Sequence, residues 1–103
     1  MHQPNSFVEI LEFRVAPEHQ TAFIEADLAV WGVGLARYPA FEHKETWIST
    51  ENPELVTCVI YWRDRSEWKA ISEQELLELK QEFDRVFPYI YELVREQEYQ
   101  KIY

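Results

Sequence analysis

His43, Glu45 and Trp47 alternate along one extended segment, so on a β-strand they share a face, with neighbours about 6.8 Å apart. An imidazole and a carboxylate that close can act as an acid and base pair, or as two metal ligands lacking a third. The structural alternative is a solvated or interface pair on a strand near the sheet edge. No H-x-H, H-x-x-x-H or H-E-x-x-H spacing supports a metal, since His2 falls in the N-terminal tail and His19 in a first helical turn. Two further carboxylates interrupt apolar patterns: Asp27 between Phe23 and Trp31, and Glu9 in an otherwise apolar strand face. Either one, if buried, would have a raised pKa and could serve as a base. The solvated edge of the stripe is the simpler placement for both. His43, Glu45 and Asp27 are thus the candidate catalytic groups, with no metal ligands assigned.

The one cysteine, Cys58, lies inside the apolar run 55–62. A reactive thiolate needs an electropositive, partly exposed setting, and no His or Lys lies within three residues of it, so a buried, reduced thiol is expected. Ser-His-Asp, phosphate-loop and Cys-x-x-Cys arrangements are absent from the sequence.

The elements that must position these groups follow from periodicity. Residues 7–15 alternate as a first strand, with Phe7, Glu9, Leu11, Phe13 and Val15 on one face and Val8, Ile10, Glu12 and Arg14 on the other. Pro17 and Glu18 suit a first helical turn, where a missing N–H costs nothing and a negative charge is favoured. The helix that follows has the inward stripe Phe23, Ile24, Leu28, Trp31 and Leu35 and must end before Tyr38, because Pro39 disfavours α geometry in its predecessor. Gly32 and Gly34 weaken its last turns and permit close packing. Residues 41–50 read as a second strand, with Phe41, His43, Glu45 and Trp47 on one face. The turn 51–54 joins it to a third strand, 55–62, whose β-branched and aromatic composition marks a central position.

Ser66 is positioned to cap a short helical turn through Ile71. Ser72 and Glu75 form the pattern S-x-x-E ahead of a second helix, 73–87, with the stripe Leu76, Leu79, Phe83, Val86 and Phe87. The tail 93–102 fits helix or strand, and is read as a fourth strand because the sheet otherwise keeps an unpaired edge. The whole chain, 1–103, makes a single domain.

Composition narrows the function. With 47% hydrophobic and 16% aromatic residues and only two glycines, the chain can bury a core. A net charge of -9 without a basic track excludes nucleic acid as a natural partner. The apolar stretch 28–36 falls short of the roughly 20 residues of a membrane helix, and the start Met1-His2-Gln3-Pro4 has no signal-peptide pattern. A cytoplasmic protein is expected.

A β-α-β-β-α-β order is the ferredoxin-like α+β arrangement, a four-stranded antiparallel sheet with two helices on one face. Its other face carries apolar residues and is expected to pack on a second copy, giving a homodimer. The strand 8–15 followed by Pro17-Glu18, the link Tyr38-Pro39-Ala40-Phe41, and the run from Val59 to Trp68 resemble the dimeric α+β barrel superfamily, which contains the antibiotic-biosynthesis monooxygenases. The segment from Trp62 to Ile71 also looks like small uncharacterised cyanobacterial members. The resemblance implies a cofactor-independent monooxygenase acting on a small aromatic or polycyclic compound, bound in an apolar pocket between helices and sheet. Here Phe23, Leu28, Trp31, Trp62, Trp68 and Phe83 would line that pocket, although aromatics at helical spacing also build ordinary cores. The haem-degrading branch relies on a His on the helix after strand three and an Asn on strand one. The helix 73–87 has no His and Asn5 precedes the strand, so that route is not expected. The alternative is a non-catalytic ligand-binding or stress-related homodimer.

Overall fold

Alternation in residues 7–15 produces the strand β1 (Phe7–Val15), which lies between β3 (Leu55–Trp62) and β4 (Tyr91–Gln100), with β2 (Phe41–Ile48) completing the antiparallel order β2-β3-β1-β4. The structure, a computed structural model, describes residues 6–102; His2 and Asn5 lie outside the described residues. The tail forms the fourth strand and occupies the edge beside β1, ending at Gln100. The first and third strands have the bounds their patterns imply.

Both helical segments cover one sheet face, giving the ferredoxin-like α+β fold. A 3-10 turn (Pro17–His19) leads into α1 (Gln20–Asp27), which continues through a π-helical turn (Leu28–Gly32) into α2 (Val33–Leu35). After β3 come the short α3 (Arg65–Lys69) and the long α4 (Glu73–Val86). One part of the core joins Phe23, Ala26 and Val30 to Val15, Val56, Phe83 and Phe87. A second joins Leu35 and Ala40 to Ile60, Trp62 and Trp68. Each large apolar side chain removed from water in this way contributes about 1.5–3 kcal/mol.

Four local expectations are corrected. Leu28 is 57% exposed and Val86 42% exposed, so neither belongs to its inward stripe. The inward face of the first helix is Phe23, Ala26, Asp27 and Val30, because a charged partner lets Asp27 take the buried position that hydrophobicity alone assigns to Leu28. The cap of α3 is Asp64, whose carboxylate accepts from the Glu67 amide at 2.8 Å, and not Ser66. Ser72 does cap α4, accepting from the Glu75 amide at 3.0 Å, while the Glu75 carboxylate accepts from the Tyr38 hydroxyl rather than turning back to close the box. Finally, a register shift between Phe41 and His43 separates these two residues. Phe41 packs edge-on against Trp62 on the helix side, whereas His43, Glu45 and Trp47 face the other way.

Candidate functional site

Between the helices and the sheet lies a cavity of about 290 Å³, a volume that matches the low end of small-molecule sites. Its walls are mostly apolar and include Phe23, Trp31, Trp62, Trp68 and Phe83. These are five of the six pocket residues named from sequence; Leu28, exposed on the far side of its helix, is not among the lining residues.

The first helix lines the cavity with Phe23, Asp27, Trp31 and Leu35, four residues at a constant spacing of four. In a pure α-helix each such step overshoots a full turn by about 40°, so four residues would drift off a common face. The π turn at Leu28–Gly32 adds a residue to one turn and offsets the drift. It is what allows Asp27 and Trp31 to look into the same space.

Three polar groups enter this apolar chamber from its floor and its helical wall. Glu9 projects from β1 and accepts a hydrogen bond from the indole Nε1 of Trp62 at 3.2 Å. Burial pushes its carboxyl above the usual carboxylate range, partly opposed by that hydrogen bond and reinforced by the nearby charge of Glu96. Asp27 and Lys44 form an ion pair through Oδ2 and Nζ, each side chain only 5% exposed. The Cys58 thiol donates to the same Asp27 oxygen at 3.8 Å. Burial pushes this thiol up to about 12, with the Asp27 charge adding to the effect. Cys58 is a buried thiol held in its neutral form.

Asp27 is therefore a cavity group and not a solvated stripe edge. Its placement follows from Lys44, which reaches in from β2: an isolated carboxylate could not be buried there, but a paired one can. Sequence periodicity contains half of this signal, since Lys44 occupies the β2 face opposite His43 and Glu45. At the rim, Lys80 donates to Asp84 at 2.7 Å, and the Tyr91 hydroxyl donates to the other oxygen of Asp84. Lys80 and Tyr91 both line the cavity. Nothing in the sequence pattern singled them out, because their meeting at Asp84 depends on how the turn after α4 folds Tyr91 back beside the helix.

His43 and Glu45 come together, with Nε2 and Oε2 3.2 Å apart, but on the sheet face away from the cavity and half exposed to water. Glu45 also accepts from Trp47 Nε1 at 3.2 Å and from the Tyr61 hydroxyl at 3.3 Å, and the His43 ring stacks on Tyr61. This cluster ties β2 to β3 on the uncovered face and does not reach the chamber. Among the described residues no group of three or more His, Cys, Asp or Glu is placed to hold a metal ion, and no helix is long and apolar enough to cross a membrane.

Comparison with known proteins follows the same outline. A family model described as antibiotic biosynthesis monooxygenase matches residues 6–78. No curated protein matches the sequence at a significant level. Among solved structures, the chain is similar to a monooxygenase of Streptomyces coelicolor from the gene ActVA-Orf6, solved with the ligand nanaomycin D, at 14% identity and a TM-score of 0.72, covering 95% of this chain and 88% of that one. A Bordetella bronchiseptica protein, provisionally assigned as an antibiotic biosynthesis monooxygenase, aligns at 17% identity and a TM-score of 0.73 over 96% of this chain and 99% of its own. A conserved Methanosarcina mazei protein aligns at 16% identity and a TM-score of 0.67 over 97% and 96%. At these identities the likeness is one of fold.

Proposed function

Because the chain belongs to the antibiotic biosynthesis monooxygenase family, we propose that it oxidises a small hydroxylated aromatic or polycyclic compound with O2, without a metal or an organic cofactor. The observation that carries this reading is the apolar chamber of about 290 Å³ with a partly buried carboxylate, Glu9, in its wall. An electron-rich phenol reacts with O2 once its proton is removed, since the resulting anion can give up an electron. Glu9, its affinity for a proton raised by burial, is the base that takes it. One oxygen atom then bonds to the ring carbon para to the phenolate. The O–O bond breaks, and the second oxygen leaves as water with the ring proton and the phenol proton, so that phenol and O2 yield quinone and H2O. Trp31, Trp62 and Trp68 hold the flat ring and exclude bulk water.

The open sheet face supports the expectation of a homodimer. It presents Val8, Ile10, Val59 and Tyr61 in its middle, with Trp47 and Tyr99, each 49% exposed, on the outer strands. Val8 and Val59 are already buried within the chain, and a second copy would bury Trp47 and Tyr99 about a two-fold axis. The test of function is oxygen uptake with a polyhydroxylated naphthalene or anthracene as substrate: the reading requires enzyme-dependent uptake matched one to one with quinone formed. Tight binding without uptake would favour the alternative of a non-catalytic ligand-binding homodimer, which the mutual neutralisation of Asp27 and Lys44 also suits.

A further inference from the structure

Glu9 and Lys44 sit on different strands, yet both pair in register with the same residue of the strand between them: Glu9 opposes Ile60 across β1 and β3, and Lys44 opposes Ile60 across β2 and β3. The three residues form a row across the cavity floor, with Ile60 in the centre and all three among the lining residues. Two strand spacings put the Cα atoms of Glu9 and Lys44 about 10 Å apart, with their side chains on the same sheet face. The floor thus has an apolar middle the width of a fused ring pair and one polar group at each end.

Each polar group retains capacity for a ligand. Trp62 engages only Oε1 of Glu9, and among the described residues no partner engages Oε2. The Lys44 ammonium has three N–H donors, of which one is directed at Asp27. No buried side-chain polar atom of the described residues lacks a partner, so the free oxygen of Glu9 keeps some access, as a group facing an open chamber must. The two ends also differ in charge. At one, a carboxyl lies beside an indole; at the other, Asp27 already compensates the ammonium, so the pair offers a donor without net positive charge.

From this row we infer that the chamber selects uncharged, fused-ring aromatics that carry a hydroxyl at one end and a carbonyl oxygen at the other, the hydroxyl read by Glu9 and the carbonyl by Lys44. The inference deepens the proposed oxidation, and rests on it only for the claim that the ligand is a substrate. A carboxylated aromatic is disfavoured, because both lysines that line the chamber already have a carboxylate partner, Lys44 in Asp27 and Lys80 in Asp84, so an added anion finds no free cation beside Glu9.

The experiment is calorimetric titration of the wild-type protein with four redox-inert probes: 6-hydroxy-1-tetralone, with both groups; 1-tetralone, with the carbonyl alone; 2-naphthol, with the hydroxyl alone; and 6-hydroxy-2-naphthoate, carrying a charge. The expected result is at least tenfold tighter binding of 6-hydroxy-1-tetralone than of any other probe. Lys44→Met, and Asp27→Leu/Lys44→Met in which neither a charge nor an N–H donor is left at that end, should reduce the preference for 6-hydroxy-1-tetralone over 2-naphthol to less than threefold. Equal affinities across the four probes for the wild type, or tightest binding of the naphthoate, would overturn the inference. Oxygen uptake with a hydroxylated naphthalene is read separately. Selective binding without uptake supports the recognition row and removes the oxidation, whereas uptake with unselective binding does the reverse.

Discussion

The Trp62 indole donates to Glu9 across 3.2 Å, joining the end of β3 to the start of β1 at the cavity wall. The bond gives a partly buried carboxylate one fixed partner and leaves its other oxygen to the chamber. Burial still outweighs it, and the Glu9 carboxyl stays above its ordinary value.

That relationship fixes the pH dependence of stability. The unfolded chain loses the Glu9 proton near pH 4.5, while the folded chain holds it to higher pH. Between those two values the native state binds more protons, so stability contributed by neutral Glu9 is fully present below the unfolded value and is lost as pH rises through the folded one. Glu9→Gln keeps an acceptor for Trp62 and removes the charge. It should therefore melt higher than wild type at pH 7, with the difference vanishing near pH 4 in thermal scans. The same variant should lower kcat by about 10²- to 10⁴-fold if Glu9 is the base.

The Asp27–Lys44 pair is almost wholly removed from water. Lys44→Met leaves the Asp27 carboxylate buried without its cation, at a cost of about 3–5 kcal/mol in urea unfolding. The double variant Asp27→Leu/Lys44→Met, with neither charge, should recover most of that loss, because apolar replacements of a buried pair are often neutral or better.

Gly34 allows the first helix to approach α4. A Cβ there would come within 3.0 Å of Leu79 Cδ1 and meet Cδ2 closer still. Gly34→Ala should destabilise the protein by about 1–3 kcal/mol despite the better helix propensity of alanine. Leu79→Ala in the same chain should relieve part of it, giving a measurable coupling in a double-mutant cycle.

Cys58, with its thiol pushed up to about 12, should resist a disulfide reagent at pH 8 in the native state and react fully in urea. Rapid modification of the folded protein would mean that the chamber opens to solvent at its floor.

For the open sheet face, Trp47→Asp/Tyr99→Asp places charges where a second copy would pack. The expected outcome in light scattering is a dimer for wild type and a folded monomer for the variant.

The strands were legible because period-2 alternation survives burial on one face: 7–15 and 55–62 read directly as β1 and β3. Aromatic residues around the cavity were legible for the same reason, being large and regularly spaced. What sequence could not supply were features created by distant chain segments. Asp27 is buried because Lys44 arrives from another strand, the π turn holds Trp31 over the same space, and the register shift beside His43 separates Phe41 from its apparent face. His43 and Glu45 drew attention by type and spacing, but their face is set by pairing with β3, which turns them away from the cavity.

The most direct test of the account is a reaction under ¹⁸O2 with an electron-rich hydroxylated naphthalene, followed by mass spectrometry of the product. The expected product is a quinone carrying one labelled oxygen, formed with wild-type protein and largely lost with Glu9→Gln. Recovery of unchanged, unlabelled aromatic from a protein that demonstrably binds it would contradict the account.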